Sequence, residues 1–239
     1  MAGKREIPEL EKFPRPSVAV DVVVLTVEDG QLHVALYRRK DPPQSGSYAL
    51  PGGFMHIDES LEEAANRLMA QKVGLGGIFL EQLYTFGDLR RDPRGRVVSV
   101  AYYALVDARR FAVKRAPTAA RARLVVPWRD ETGGPVEVVG ADGSALPLFL
   151  DHADILGLAV RRLRGKLDYT PVGFQLLPSE FTLRQLQEIH EAVRGEPLNK
   201  DSFRRRMLAS SLLEATGAHE REVLHRPAEL YRFSRRSAT

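Results

Sequence analysis

The chain has 239 residues, 44% hydrophobic and 28% charged, a composition typical of a folded globular protein and not of a disordered or fibrous one. It contains no cysteine, secretory signal or apolar run near the roughly 20 residues that span a bilayer, which excludes disulfides and thiolate metal sites and predicts a cytoplasmic protein without a membrane partner. Residues 155–239 hold 15 Lys and Arg against 10 Asp and Glu, whereas residues 1–154 hold 20 against 21. The basic last third indicates either a polyanion partner or only a solvated basic face.

The first half of the chain alternates strands with one helix. A helix is predicted over residues 60–73, because apolar side chains recur there at three-to-four spacing and Gly74 follows them. Residues 28–30 predict a hairpin turn, and residues 87–96 form a polar loop between two strands. Four strands are predicted from β-branched or alternating segments, at residues 17–27, 32–39, 79–86 and 97–106.

Residues 114–150 carry a weaker pattern. Trp128 is a candidate core anchor, and residues 136–143 resemble another hairpin. From residue 151 to 165 the pattern is helical again, and this helix is a candidate connector between two domains.

The organisation changes after Asp168. A helix is predicted over residues 181–193, capped by Thr182 or Ser179, and a second over residues 200–210. The short β-like stretches at 212–216 and 230–233 come after the two helices. The order helix, turn, helix and two-stranded ribbon is that of a winged helix.

A spaced motif surrounds the first helix. Gly53 is followed after five residues by Glu59 and after seven more by Arg67, and Gly74-Leu75 closes the segment. This skeleton resembles the Nudix box, in which adjacent glutamates on one helix face hold Mg²⁺ against a pyrophosphate.

The metal-binding glutamates are missing from this box. The first consensus glutamate is Leu68, and the adjacent pair is Gln71-Lys72. Leucine is no ligand, glutamine is a weak one and lysine repels a cation, so neither a metal, a required cofactor nor catalytic residues are predicted. Lys72 is expected to contact the pyrophosphate directly as a point charge. The alternative is that Gln71 and Lys72 are only solvated helix residues.

The loop over residues 87–96 carries four arginines and is a candidate anion clamp, because guanidinium groups bind phosphate in a forked geometry. A merely solvated loop is the alternative. Tyr48 or Phe54 is a candidate to stack on a base. The predicted ligand-binding residues are Arg38, Arg39, Tyr48, Gly53, Phe54, Arg67, Lys72, Arg91, Asp92 and Arg94.

The helix over residues 200–210 has basic flanks and an apolar seam of Phe203 and Met207, with Leu208 as a candidate third member. A short basic helix, second of a pair, is typical of a major-groove recognition helix. The predicted DNA-binding residues are Thr182, Arg184, Lys200, Ser202, Arg204, Arg205, Arg206, His219 and Arg221.

Nearly the whole chain resembles the NrtR family of Nudix-related transcriptional regulators of NAD metabolism. Besides the degenerate box, the resemblance rests on Tyr84-Thr85-Phe86, Arg91-Asp92-Pro93-Arg94, Leu176-Leu177-Pro178, Phe181-Thr182-Leu183, Phe203-Arg204-Arg205 and Arg226-Pro227-Ala228-Glu229-Leu230-Tyr231-Arg232-Phe233. It implies a homodimer that binds a palindromic operator in double-stranded DNA, represses genes of NAD synthesis or salvage, and releases DNA when ADP-ribose or a related nucleotide binds.

The predicted fold class is therefore α+β: a Nudix α/β/α sandwich with a mixed sheet, followed by a winged helix-turn-helix. The expected domains are a ligand-sensing and dimerisation domain at 1–150, a connecting helix at 151–168 and a DNA-binding domain at 169–239. Three alternatives stay open: an active Nudix pyrophosphohydrolase, a regulator of sugar use, and a nucleotide-binding adaptor whose basic end contacts RNA or protein.

Overall fold

The computed structural model describes residues 12–111, 118–129, 132–167, 171–220 and 227–234. Ten strands are β1 Ser17–Glu28, β2 Gln31–Arg38, β3 Tyr48–Ala49, β4 Gly52–Phe54, β5 Glu81–Phe86, β6 Val97–Leu105, β7 Ala119–Val125, β8 Glu137–Val139, β9 Leu213–His219 and β10 Glu229–Phe233. Four α-helices are α1 Leu61–Val73, α2 His152–Leu167, α3 Leu183–Arg194 and α4 Lys200–Ala209, with a 3-10 helix at Pro171–Leu176. None of the helices in these ranges is both long enough and apolar enough to cross a membrane.

Eight strands form one mixed sheet in the order β5-β6-β1-β2-β7-β8, with β3 paired to β2 and β4 paired to β1. Strands β1 and β6 are parallel, and the other pairs are antiparallel. Asp29 and Gly30 both have positive φ in the turn between β1 and β2, as a tight hairpin turn requires.

Side-chain alternation along β1 places one helix on each face of the sheet. Val20, Val22 and Val24 pack in the apolar cluster that contains α1, whereas Val23 and Leu25 pack in the cluster that contains α2. The predicted α/β/α sandwich is confirmed.

Helix α1 begins and ends where its sequence signals predict. Ser60 caps the first turn and forms a reciprocal capping box with Glu63. Gly74 ends the helix in the left-handed conformation that glycine adopts without strain.

Helix α2 lies between the sheet and the C-terminal helices. Ile155, Leu156, Ala159, Val160 and Leu163 are fully buried, and α2 contacts β1 and β5 as well as α3. One continuous apolar core therefore runs from the sheet through α2 into α3, α4 and β10. Helix α2 therefore forms one helical layer of the sandwich, and its other side packs against the C-terminal helices.

Helices α3 and α4 and the ribbon β9–β10 have the predicted winged-helix order. Thr182, and not Ser179, caps α3 in a capping box with Gln185, while Asn199 caps α4. Phe203 and Met207 form the buried seam of α4. The placement of Leu208 on that seam is wrong, because Leu208 is 47% exposed.

Three short or weakly patterned strands were not predicted. Strand β7 is rich in alanine and arginine, and β3 and β4 span only two and three residues. Strand β8 pairs with β7, and Val139 bridges to Ala145 after the predicted turn. Trp128 is only half-buried, and its indole N–H donates to the Gly134 carbonyl at 3.1 Å.

We expect Gly52→Ala to destabilise the fold, because β4 passes close to β1 at this residue. A Cβ at Gly52 would lie 2.1 Å from Asp21 Oδ1 and 2.8 Å from the Val20 carbonyl oxygen. Relieving this overlap should cost about 1–3 kcal/mol of unfolding free energy, measured by urea denaturation. Gly76→Ala is the control, since a Cβ there has no neighbour within 4 Å. Equal stability of the two variants would contradict this close approach.

Candidate ligand pocket and DNA-binding surface

A pocket of about 220 Å³ opens where β1, β4, the end of α1 and the start of α2 meet the loop before β6. Seven of the ten predicted ligand-binding residues line it: Arg39, Gly53, Phe54, Lys72, Arg91, Asp92 and Arg94. These residues are far apart in the sequence, and the fold brings them together in one site.

The other three predicted ligand-binding residues lie elsewhere. Arg38 and Tyr48 line a neighbouring groove that shares only Arg39 with the pocket. Arg67 donates to both carboxylate oxygens of Glu59, at 2.8 and 2.5 Å, and to the Phe54 carbonyl. Its guanidinium therefore braces the loop before α1.

A buried carboxylate forms the floor of the pocket. Asp21 on β1 accepts a hydrogen bond of 2.5 Å from the Ser99 hydroxyl on β6. Arg91 Nη2 lies 3.7 Å from Asp21 Oδ2, and His152 Nε2 lies 3.7 Å from Asp21 Oδ1. These contacts join two strands, the arginine loop and α2 around one acidic group.

His152 links the pocket floor to α2 as a neutral ring. Its Nδ1 accepts a hydrogen bond of 2.9 Å from the Leu50 amide, which places the proton on Nε2, towards Asp21. Complete burial lowers the pKa of His152, and the nearby Asp21 opposes this effect only in part. The imidazole therefore orients α2 on the sheet without adding charge.

The two pocket-lining arginines of the loop are held by carboxylates. Arg91, with only 4% of its side chain exposed, donates to Asp151 Oδ2 and Oδ1 at 2.9 and 2.8 Å. Arg94 donates to both oxygens of Asp92, at 3.0 and 2.7 Å, and holds the pKa of that carboxyl below its usual range. The Arg94 guanidinium also lies 5.3 Å from the centre of the Phe54 ring.

Two cations in the pocket lie over aromatic rings. Arg39 lies 3.8 Å from the centre of the Phe149 ring, and Lys72 Nζ lies 4.7 Å from the centre of the Tyr37 ring. Neither forms an ion pair with a carboxylate of the part of the chain that the structure describes. Arg39 and Lys72 therefore supply the positive charge that an anionic ligand would meet.

The box positions on α1 do not fit a magnesium ion. Leu68 is buried, and its Cδ2 would lie 2.8 Å from a Cβ at Gly53. Gln71 is exposed and outside the pocket lining, whereas Lys72 lines it. Across the described ranges no three His, Asp or Glu side chains are grouped as metal ligands would be.

The glutamates in and beside the box, Glu59, Glu62 and Glu63, have other partners. Arg67 and the His56 amide bind Glu59 and lower its pKa to about 2. Glu62 accepts a hydrogen bond from Tyr102, and Glu63 completes the capping box of α1. These carboxylates are therefore already engaged by an arginine, a tyrosine and the helix cap.

Helix α4 carries a basic surface. The side chains of Lys200, Ser202, Arg204, Arg205 and Arg206 are all exposed on α4. The winged-helix topology places this helix second of its pair, with β9–β10 following it.

The remaining predicted DNA-binding residues differ in accessibility. Arg184 is exposed and pairs with Glu188 one turn later on α3, and His219 is exposed at the end of β9. The prediction that Thr182 binds DNA needs correction. Thr182 is only 3% exposed, and its hydroxyl accepts a hydrogen bond from the Gln185 amide, so it does not face solvent. Arg221 lies outside the described residues.

Sequence reasoning missed the polar residues that hold the pocket floor and its loop. Asp21, Ser99 and His152 are buried, and Asp151 is partly exposed. All four lie in segments whose apolar pattern signals strands or helices, and no motif marks them. An acidic residue inside the β-branched segment of β1 was the one available signal, because a buried aspartate needs partners.

The architecture and its two surfaces define a Nudix domain joined to a winged-helix DNA-binding domain. The family model described as NUDIX domain matches residues 15–130, and the model described as NrtR DNA-binding winged helix domain matches residues 173–233. The chain is 35% identical over 224 residues to the ADPR responsive transcriptional repressor NtrR of Acinetobacter baylyi, covering 93% of this chain and 84% of that protein. It belongs to the NrtR family.

A solved structure and a local relative extend the comparison. The crystal structure of Shewanella oneidensis NrtR complexed with a 27mer DNA is 35% identical and superposes with a TM-score of 0.74, over 91% of this chain and 93% of that one. The ADP-ribose pyrophosphatase of Methanocaldococcus jannaschii is 33% identical over 99 residues, which are 41% of this chain and 56% of that enzyme. The similarity to the enzyme is therefore local.

Proposed function

We propose that this chain is a DNA-binding transcriptional repressor that senses ADP-ribose or a related nucleotide and requires no cofactor. The observation that carries the proposal is a Nudix pocket lined by four Lys and Arg side chains against three Asp, joined by α2 to a winged helix with an exposed basic helix. The similarity to a repressor named for its response to ADPR supports it.

The pocket suits a pyrophosphate bound without metal. Arg39 and Lys72 provide two cations for the phosphate oxygens, and the half-exposed Phe54 provides a face on which a base can stack. Lys72 takes the place of a metal-binding glutamate, so its ammonium replaces the charge that a cation would bring. We infer that binding is independent of Mg²⁺ and that hydrolysis is absent.

An active hydrolase is the second candidate, favoured by the local similarity to an ADP-ribose pyrophosphatase. Leu68, Gln71 and Lys72 at the box positions oppose it. Release of AMP and ribose 5-phosphate from ADP-ribose with Mg²⁺, at ordinary enzymatic rates, would favour the hydrolase over the sensor.

We expect Lys72→Met to weaken ADP-ribose binding, because it removes an ammonium from the pocket and keeps its apolar stem. The affinity should fall about tenfold or more in Kd, measured by titration calorimetry in EDTA. Gln71→Met is the matched control, since the adjacent Gln71 does not line the pocket. A strict requirement of the wild type for Mg²⁺, or equally weakened binding in both variants, would contradict the proposed role of Lys72.

The basic helix α4 supports binding to the major groove of double-stranded DNA. We infer a homodimer on a palindromic operator, because one ten-residue helix covers few base pairs and two-fold symmetry doubles the contact. Since ADP-ribose is what remains when NAD loses nicotinamide, we infer that the operator controls genes of NAD synthesis or salvage. We infer that such a regulator acts in the cytoplasm.

Replacing Arg204, Arg205 and Arg206 together by alanine is expected to abolish tight DNA binding. Affinity should fall about 100-fold or more, and the log–log salt slope should fall by roughly 0.9 for each DNA phosphate that the variant no longer neutralises. Gel shifts at several salt concentrations measure both quantities. Replacing the exposed Arg109, Arg121 and Arg129 removes the same charge elsewhere. If both triple variants bind DNA equally well, α4 is not the DNA-binding element.

Helix α2 is the proposed link between ligand and DNA. Asp151 and His152, at its start, hold the pocket loop and floor. Near its end, Arg164 Nε donates to the Val193 carbonyl on α3 at 2.8 Å, and Arg164 Nη1 donates to the Trp128 carbonyl at 3.1 Å. A ligand that repositions one end of this rigid helix changes the placement of α3 and α4. We propose domains at 1–150 and 169–239, with 151–168 as this link.

Arg164→Gln should therefore uncouple the two functions. We expect ADP-ribose affinity to stay within about twofold, while the ratio of DNA dissociation constants with and without ADP-ribose falls about tenfold towards unity. Arg161→Gln is the control on the same helix, because Arg161 is exposed. If ADP-ribose weakens DNA binding by Arg164→Gln as much as by the wild type, the contacts of Arg164 do not transmit the effect of the ligand.

A further inference from the structure

Leu208 is an exposed apolar side chain on a helix otherwise covered with charge. It is 47% exposed, although its neighbour Met207 is buried. Each residue turns about 100° around an α-helix, so Leu208 points well away from the seam of Phe203 and Met207. Exposed leucines are common singly, but this one lies on the helix that is proposed to face DNA.

The same geometry separates the three consecutive arginines. Arg205 lies about 180° from the buried seam, at the centre of the exposed face. Arg206 lies 5.6 Å from the centre of the Phe203 ring, and Arg204 lies on the side of β10, where its charge acts on Tyr231. Arg204 and Arg206 therefore flank the exposed face, and Arg205 occupies its centre.

Ser202, Arg205 and Leu208 form a stripe at three-residue spacing that winds across the exposed side of α4. Arg205 lies directly opposite the seam, and Ser202 and Leu208 lie about 60° to either side of Arg205. Successive members rise about 4.5 Å along the helix axis, so the whole stripe is about as long as three base pairs at about 3.4 Å each. A stripe with a hydroxyl, a guanidinium and a methyl-rich tip matches the chemistry of base edges better than that of phosphates, which attract only the first two.

We propose that Leu208 and Arg205 are specificity-determining residues, with Leu208 packed on the 5-methyl group of a thymine and Arg205 bound to the edge of a nearby guanine. This inference rests on the proposed DNA-binding function. Arg204 and Arg206 hold the phosphates on either side. Water is displaced from both the exposed leucine and the thymine methyl when they meet, which favours binding to thymine over a base without that methyl group.

The test begins with a duplex selected by the full-length wild-type chain from a randomised DNA pool. Each thymine of that duplex is then replaced singly by deoxyuridine, which removes one methyl group and leaves base pairing intact. We expect one sensitive thymine in each half-site, where wild-type affinity falls about fourfold, the equivalent of one buried methyl group. At that position Leu208→Ala should bind both duplexes equally.

Arg204→Ala is the matched control on the same helix. It should weaken binding to all duplexes alike and keep the fourfold preference for thymine, because it removes only a phosphate contact. Arg205→Ala should lose its preference for one guanine close to the sensitive thymine. Unchanged ADP-ribose affinity in each variant verifies that it is folded.

The possible outcomes distinguish a failure of base recognition by Leu208 and Arg205 from a failure of DNA binding itself. If no duplex is enriched, the DNA-binding function fails and the inference fails with it. If a duplex is enriched but no thymine is sensitive, or Leu208→Ala keeps the wild-type sensitivity, only the inference is overturned. Weaker binding by Leu208→Ala that is equal at every thymine also overturns it, since that result indicates contact with another protein surface.

Discussion

The burial of α2 between the sheet and α3 is the constraint on which the rest of the structure depends. Its apolar residues complete the core of the sandwich and, in the same cluster, the core beneath the winged helix. Because this core is continuous, separating the C-terminal helices from α2, or α2 from the sheet, would expose apolar surface to water. The pocket and the basic helix are therefore parts of one packed body and not independent modules on a flexible tether.

The pocket floor shows how a buried acid is tolerated in such a body. Asp21 would be costly to bury alone, but Ser99, Arg91 and His152 surround it. Each of these partners belongs to a different element, so the acid fixes their relative positions. The site is thus organised around one buried carboxylate, which requires polar or charged partners.

Local signals in the sequence were sufficient for much of the fold. Ser60 and Gly74 bound α1, and Asn199 begins α4, because caps act on neighbouring backbone groups. Strand β7 was missed because its stability comes from pairing with β2, which its alanine- and arginine-rich sequence does not reveal.

The residues of the candidate sites also fall into two groups, those that a local motif marks and those that only the folded structure brings together. Lys72 and Phe54 were found because they sit in or beside a motif, and both line the pocket. Asp21 and His152 meet only in three dimensions, so spacing could not bring them together. Leu208 was misplaced by its helical phase, since adjacency to Met207 in sequence does not place two side chains on the same face of a helix.

The packing of Leu68 against Gly53 has an evolutionary consequence. Leu68 is only 4% exposed and belongs to the apolar cluster under α1. A glutamate at this position would place a carboxylate among apolar side chains, which is costly unless those surroundings also change. Because residues 68, 71 and 72 all differ from the glutamates of the box, no single substitution gives this helix the metal-binding sequence.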